Sequence, residues 1–157
     1  MAAQYYPFGG YKISESVVFY TTQLTFAFVN FCPVRPGHVL VCPKREVKRV
    51  ADLTADETCD LWLTAQKIGG QLESYSNASS LTLNIQDGPQ AGQTVPHVHI
   101  HIIPRRAGDF ENNDDIYDEI DLKEKQLKMR LDNGESKVSG SLEGMAAEAD
   151  EYRKLFS

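Results

Sequence analysis

A chain of 157 residues, 41% of them hydrophobic, is the size of one compact domain, and no apolar run reaches the roughly 20 residues that a membrane-spanning helix needs. The net charge of −6 argues against charge-driven binding to DNA or RNA, but not against a small anion held by a local cluster of imidazoles and amides. Residues 1–10 show neither a basic start nor an apolar stretch, so no secretory signal is expected, and a cytoplasmic protein is, with the nucleus also open.

Residues 16–20 (SVVFY) and 24–31 (LTFAFVNF) are rich in β-branched and aromatic side chains and predict two strands. A break at 33–37 leads to a third, residues 38–42, closed by Pro43, so the opening reads as an antiparallel meander. Cys32, Cys42 and Cys59 are too scattered for a metal site and fit a reducing compartment. Thr54, with Glu57 three residues on, has the form of a capping box. Leu61, Ala65, Ile68, Leu72 and Tyr75 then form one apolar stripe along a helix. Gly69 and Gly70 weaken that helix by about 1 kcal/mol each, which points to close packing there.

Residues 81–85 predict another strand, residues 86–93 a turn-rich loop, and residues 97–103 a strand ended by Pro104. Residues 109–141 are mostly charged and polar and are expected to form a mobile acidic loop, with a helical piece around 116–131. Helical spacing returns through Met145, Ala149, Tyr152 and Phe156, predicting a C-terminal helix that docks back. The fold class is α+β: one domain over 1–157, an antiparallel sheet with one long helix packed on it and a C-terminal helix.

The chain has four histidines, and three of them alternate in His97-Val98-His99-Ile100-His101. On a strand, alternate side chains share a face, so these imidazoles line up while Val98 and Ile100 point into apolar packing. Two chemistries compete for such a face. Three imidazoles, with His38 as a possible fourth, can bind zinc, although same-face neighbours roughly 6.5–7 Å apart make an awkward tetrahedral clamp. Alternatively, a neutral imidazole with one nitrogen tied to an acceptor leaves the other as a nucleophile, suited to phosphate chemistry beside amide-rich loops.

The run His97-Val98-His99-Ile100-His101-Ile102-Ile103 resembles the signature of the histidine-triad (HIT) superfamily. Three further segments, residues 26–30, 34–43 and 86–95, resemble its fragile-histidine-triad branch of diadenosine-triphosphate hydrolases, as does the tail Pro104-Arg105-Arg106-Ala107-Gly108-Asp109-Phe110. The resemblance runs from about Phe8 to Phe110 and resumes at 145–149. It implies a HIT-like fold and cleavage of diadenosine triphosphate to AMP and ADP through a nucleotidyl-histidine. His99 is implied as nucleophile, His97 as the group that orients it, with His38 behind, and His101 as donor to the α-phosphoryl oxygens. Gln93 and Thr94 are implied at the phosphates, Asn30 and Gln86 at ribose and phosphate, and Phe8, Ile13, Phe28 and Leu40 around the adenine. No protein-held metal is implied, but Mg²⁺ or Mn²⁺ is expected to arrive with the substrate. A homodimer is expected from the resemblance, and neither a membrane nor a nucleic acid as partner.

Other readings stand beside these. Phe28 and Leu40 also suit a plain core, Asn30 and Gln86 also suit turns, and Arg105 and Arg106 suit either phosphate or solvent. The acidic surroundings of Tyr117 resemble a phosphorylation context, which would fit a signalling protein whose nucleotide-bound form is active. An adenosine phosphoramidase is a third reading. Pro96 removes one backbone donor next to His97, and Phe28 is bulkier than the aliphatic residue expected at an adenine pocket.

Overall fold

The computed structural model describes residues 4–134 and 142–157. A hairpin of β1 (Tyr5–Phe8) and β2 (Tyr11–Ser14) comes first, turning on Gly9 and Gly10, whose φ values of 58° and 89° suit residues without a Cβ. This hairpin is absent from the sequence expectations; its strands are only four residues each. A five-stranded antiparallel sheet follows: β3 (Val18–Thr21), β4 (Thr25–Val29), β5 (Val39–Pro43), β6 (Ser80–Asn84) and β7 (Ile100–Arg105), in the order β3-β4-β5-β7-β6. β3, β4 and β5 make the expected meander. β7 then inserts between β5 and β6.

The face bearing Ala27, Val29, Val39, Val41, Ile100 and Ile102 packs on α1 (Ala55–Tyr75). α1 starts at the expected capping box: Thr54 Oγ1 accepts from Glu57 N–H at 3.0 Å and Glu57 Oε1 accepts from Thr54 N–H at 2.8 Å. Leu61, Ala65, Ile68 and Leu72 are buried, each contributing up to ~1.5–3 kcal/mol for the larger side chains. Tyr75 departs from the predicted stripe: it is 49% exposed and meets Tyr152 edge-on. Gly69 is required by close approach, since a Cβ there would lie 2.9 Å from Leu81 Cδ1; Gly70 faces open space. α3 (Glu143–Arg153) closes the same side through Ala149 and Tyr152, the latter against Phe19.

The opposite face holds Phe26, Phe28, Leu40 and Cys42, covered by Phe8 and Ile13 of the hairpin. It is also covered by α2 (Asp115–Asp132), which matches the helical piece expected around 116–131; the mobility expected of the surrounding stretch does not hold for this part, which is docked on the sheet. Ile116, Ile120, Leu127 and Leu131 recur at helical spacing and are all buried, so apolar burial outweighs the charge of the segment. The part of that expectation on residues 135–141 lies outside the described residues. The predicted strand at 97–103 also shifts: pairing begins at Ile100, because Pro96 cannot donate and Val98 N–H turns to the carbonyl of Val47.

Candidate active site

His97, His99 and His101 emerge on the second face of the sheet, and all three are at most 1% exposed. The hydrogen bonds define a tautomer for each ring. His99 Nδ1 lies 2.7 Å from the His97 carbonyl, which can only accept, so Nδ1 carries a proton and Nε2 is the nitrogen left for chemistry. The main chain of His97, not its ring, therefore orients His99. The His97 ring accepts from Gly9 N–H at Nδ1 (3.3 Å) and donates from Nε2 to the Pro43 carbonyl (2.8 Å), which ties the hairpin to the sheet. Burial lowers the pKa of His97 to about 4, so this ring is neutral.

His38 stands behind His101, a correction to the expected place behind His97. Val34 N–H donates to His38 Nδ1 at 2.9 Å, so His38 Nε2 bears hydrogen and donates to His101 Nδ1 at 2.8 Å. This leaves His101 Nε2 as an N–H pointing into the site. Burial first, then the neighbouring His101, holds the pKa of His38 well below the ordinary imidazole value, and burial lowers that of His101 as well. Asn30 sets its amide nitrogen 3.2 Å from the His38 ring, while its side-chain oxygen accepts from Cys32 N–H. It braces the histidines.

The loop after β6 is held from both sides. Gln93 Oε1 accepts from Gly88 N–H and Gln93 Nε2 donates to the Lys48 carbonyl, so its side chain staples the loop instead of reaching the histidines. Asp87 accepts from Val50 N–H and pairs with Arg49. Gly92 has φ 97°, and a Cβ there would lie 2.4 Å from Gln86 Nε2. A cleft of about 350 Å³ runs between Gly92–Thr94 and the Asp121 and Lys125 side of α2. Phe8, Ile13, Phe28 and Leu40 converge in one fully buried cluster, with Phe8 edge-on to both Phe28 and His99. Arg105 is neither a solvated charge nor a histidine neighbour: it pairs with Asp109 at 2.7 Å and bonds Thr82. Arg106 caps the Ser76 carbonyl.

The residue absent from the sequence expectations is Glu124 of α2. Its side chain is fully buried, and Oε1 accepts from His99 Nε2 at 2.8 Å. The same oxygen is 3.0 Å from His101 Nε2 but off the line of a hydrogen bond. Thr94 Oγ1 is 3.0 Å from Glu124 Oε2 and from its carbonyl. Burial alone would lower the pKa of His99; the Glu124 carboxylate reverses this and leaves it raised. Burial also opposes the charge on Glu124, but the two imidazoles overcome it and hold the carboxyl far below its usual range. One ligand atom from each of His99, His101 and Glu124 lies within 4.8 Å of the others. At 2.8 and 3.0 Å, however, the carboxylate contacts are those of an acid–base pair, closer than ligands spread around a tetrahedral ion. A glutamate at the one polar position of the Ile116–Ile120–Leu127–Leu131 stripe was the available sequence signal.

An antiparallel sheet that presents one tautomer-fixed imidazole nitrogen, flanked by a second imidazole N–H and a glycine-rich loop, defines a class of histidine-centred phosphate chemistry. Residues 12–108 match the family model of the HIT domain, and the chain belongs to that family. It is 64% identical over 151 residues to an Arabidopsis thaliana protein named bifunctional bis(5'-adenosyl)-triphosphatase/adenylylsulfatase FHIT, covering 96% of this chain and 84% of that one. A Dictyostelium discoideum bis(5'-adenosyl)-triphosphatase is 54% identical over 95% of this chain and 91% of its own length. The crystal structure of the C. elegans NitFhit protein superposes with a TM-score of 0.75 at 41% identity, over 99% of this chain and 31% of that longer one.

Proposed function

We propose that the chain is a dinucleoside polyphosphate hydrolase that cleaves diadenosine triphosphate to AMP and ADP. The observation that carries this reading is the bond from His99 Nδ1 to the His97 carbonyl, which supports Nε2 as the reacting nitrogen. The names of the Arabidopsis and Dictyostelium relatives support the substrate. In the first step His99 Nε2 bonds to the α-phosphorus as the bond from that phosphorus to the ADP oxygen breaks, and ADP leaves. In the second, water attacks the same phosphorus, AMP leaves, and the imidazole returns. His101 Nε2–H is placed to donate to an α-phosphoryl oxygen as charge builds there, and the His38 chain keeps it in the donating tautomer. Mg²⁺ or Mn²⁺ arriving on the substrate's phosphates would offset charge on the departing ADP.

The protein acts as a homodimer in the cytoplasm. Support for a second copy comes from the outer edge of β6, unpaired among the described residues, and from exposed Leu83, Trp62 and Leu63. Cys32, Cys42 and Cys59 are free thiols, in keeping with a reducing compartment.

Initial rates on diadenosine triphosphate, diadenosine tetraphosphate, adenylyl sulfate and an adenosine phosphoramidate, measured side by side, test the function. The triphosphate is expected to turn over fastest and His99→Ala to be inactive on all four. Near-normal rates in His99→Ala would remove the nucleophile assignment.

A further inference from the structure

Helix α2 touches the groups that a bound dinucleotide needs, and touches them with matching chemistry. Glu124 places a carboxylate on His99 Nε2, the nitrogen that must reach phosphorus, and close to His101 Nε2. Its other oxygen takes the hydroxyl of Thr94. One helical turn earlier, Asp121 Oδ1 accepts from Gln86 Nε2 at 2.6 Å, and Gln86 Oε1 is left buried without a partner. Leu127 and Leu131 fill the other end, packed in the apolar cluster of Phe8, Ile13, Phe28 and Leu40. Two carboxylates thus lie over the phosphate-facing groups and two leucines lie in the apolar pocket.

This arrangement is incompatible with attack. A carboxylate oxygen 2.8 Å from His99 Nε2 is an acceptor, so the contact is favourable only when that nitrogen carries a proton, and a protonated imidazole has no lone pair for phosphorus. Both the space and the electron pair that the first step uses are taken.

We propose that α2 is a built-in competitor of the substrate: its Glu124 and Asp121 carboxylates and its Leu127 and Leu131 side chains occupy the dinucleotide site, and the nucleotide must displace the helix to react. This rests on the hydrolase reading above. The cleft beside Gly92–Thr94 and α2 is the seam at which a phosphate chain would begin to pry them apart.

The test combines hydrogen exchange with kinetics on the full chain, using AMP as the bound probe and diadenosine triphosphate as substrate. Saturating AMP is expected to speed exchange of the α2 amides in the wild type while protecting β7. Glu124→Ala should show fast α2 exchange without nucleotide, bind AMP more tightly and lower KM. If the covered form outweighs the open one by about a hundred to one, the gain is about a hundredfold. Asp121→Ala, at an exposed position, should shift the same readouts by a smaller factor. Added α2 protection with AMP, or a fall in kcat for both variants with KM unchanged, would overturn the proposal by making α2 part of the working site. In that case a wild type that still hydrolyses the substrate leaves the hydrolase reading standing. A wild type that neither binds AMP nor turns over substrate brings down both.

Discussion

The buried pair of His99 and Glu124 makes a quantitative demand on stability. At 2.8 Å and an effective dielectric of about 20, two unit charges attract by about 6 kcal/mol before desolvation is subtracted. With both side chains fully buried, His99→Asn or Glu124→Gln alone strands the other partner and is expected to cost about 3–5 kcal/mol. For a domain of 157 residues that is a fall in Tm of roughly 10 °C. The double variant removes both charges, so it should lose less than the sum of the singles, with a coupling energy of about 2–3 kcal/mol. Urea unfolding of the four proteins measures this through shifts in midpoint at constant slope. The sign of the pH dependence follows from the two shifts. Glu124 is depressed, so its contribution is present above its unfolded pKa of about 4.3 and fades as pH falls through its folded value. His99 is raised, so its contribution is full below about 6.5 and is lost as pH rises through its folded pKa. Coupling should therefore peak near pH 5–6 and weaken towards pH 9. A coupling below about 0.5 kcal/mol, or one that grows from pH 6 to pH 9, would show that the contact is not an ion pair.

Thr54→Ala removes the acceptor for the Glu57 amide and should lower stability by about 1 kcal/mol in the same urea assay, with KM and kcat unchanged because α1 lies on the face away from the histidines. Gly92→Ala places a Cβ 2.4 Å from Gln86 Nε2 at a positive φ of 97°, so the loop must shift; steady-state kinetics should show KM for diadenosine triphosphate raised by about tenfold, with a smaller effect on kcat.

Features legible in the sequence depend on neighbours within a few residues. The alternation of His97, His99 and His101 with Val98 and Ile100 assigns faces through strand geometry alone, and Thr54 with Glu57 marks the start of α1 through bonds that span three residues. Local rules are weaker where a segment is charged: the helical piece around 116–131 was legible, but composition spoke for mobility, and the docking of Ile116, Ile120, Leu127 and Leu131 was not legible. Gln93 and His38 show a different limit. Their side-chain types suit a phosphate site and a support for His97, yet Gln93 turns to Lys48 within its loop, and His38 turns to His101 because β5 pairs with β7 in a register that sets Leu40 opposite His101.

The sequence by itself determined that three imidazoles share one face of a strand and that an amphipathic helix follows a capped turn, since both are consequences of backbone periodicity. Only the tertiary structure decided what those imidazoles meet. Glu124 lies 25 residues beyond His99 and reaches it only because the apolar side of α2 is buried on the sheet, and that burial is a free energy shared among distant residues rather than a property of any short stretch.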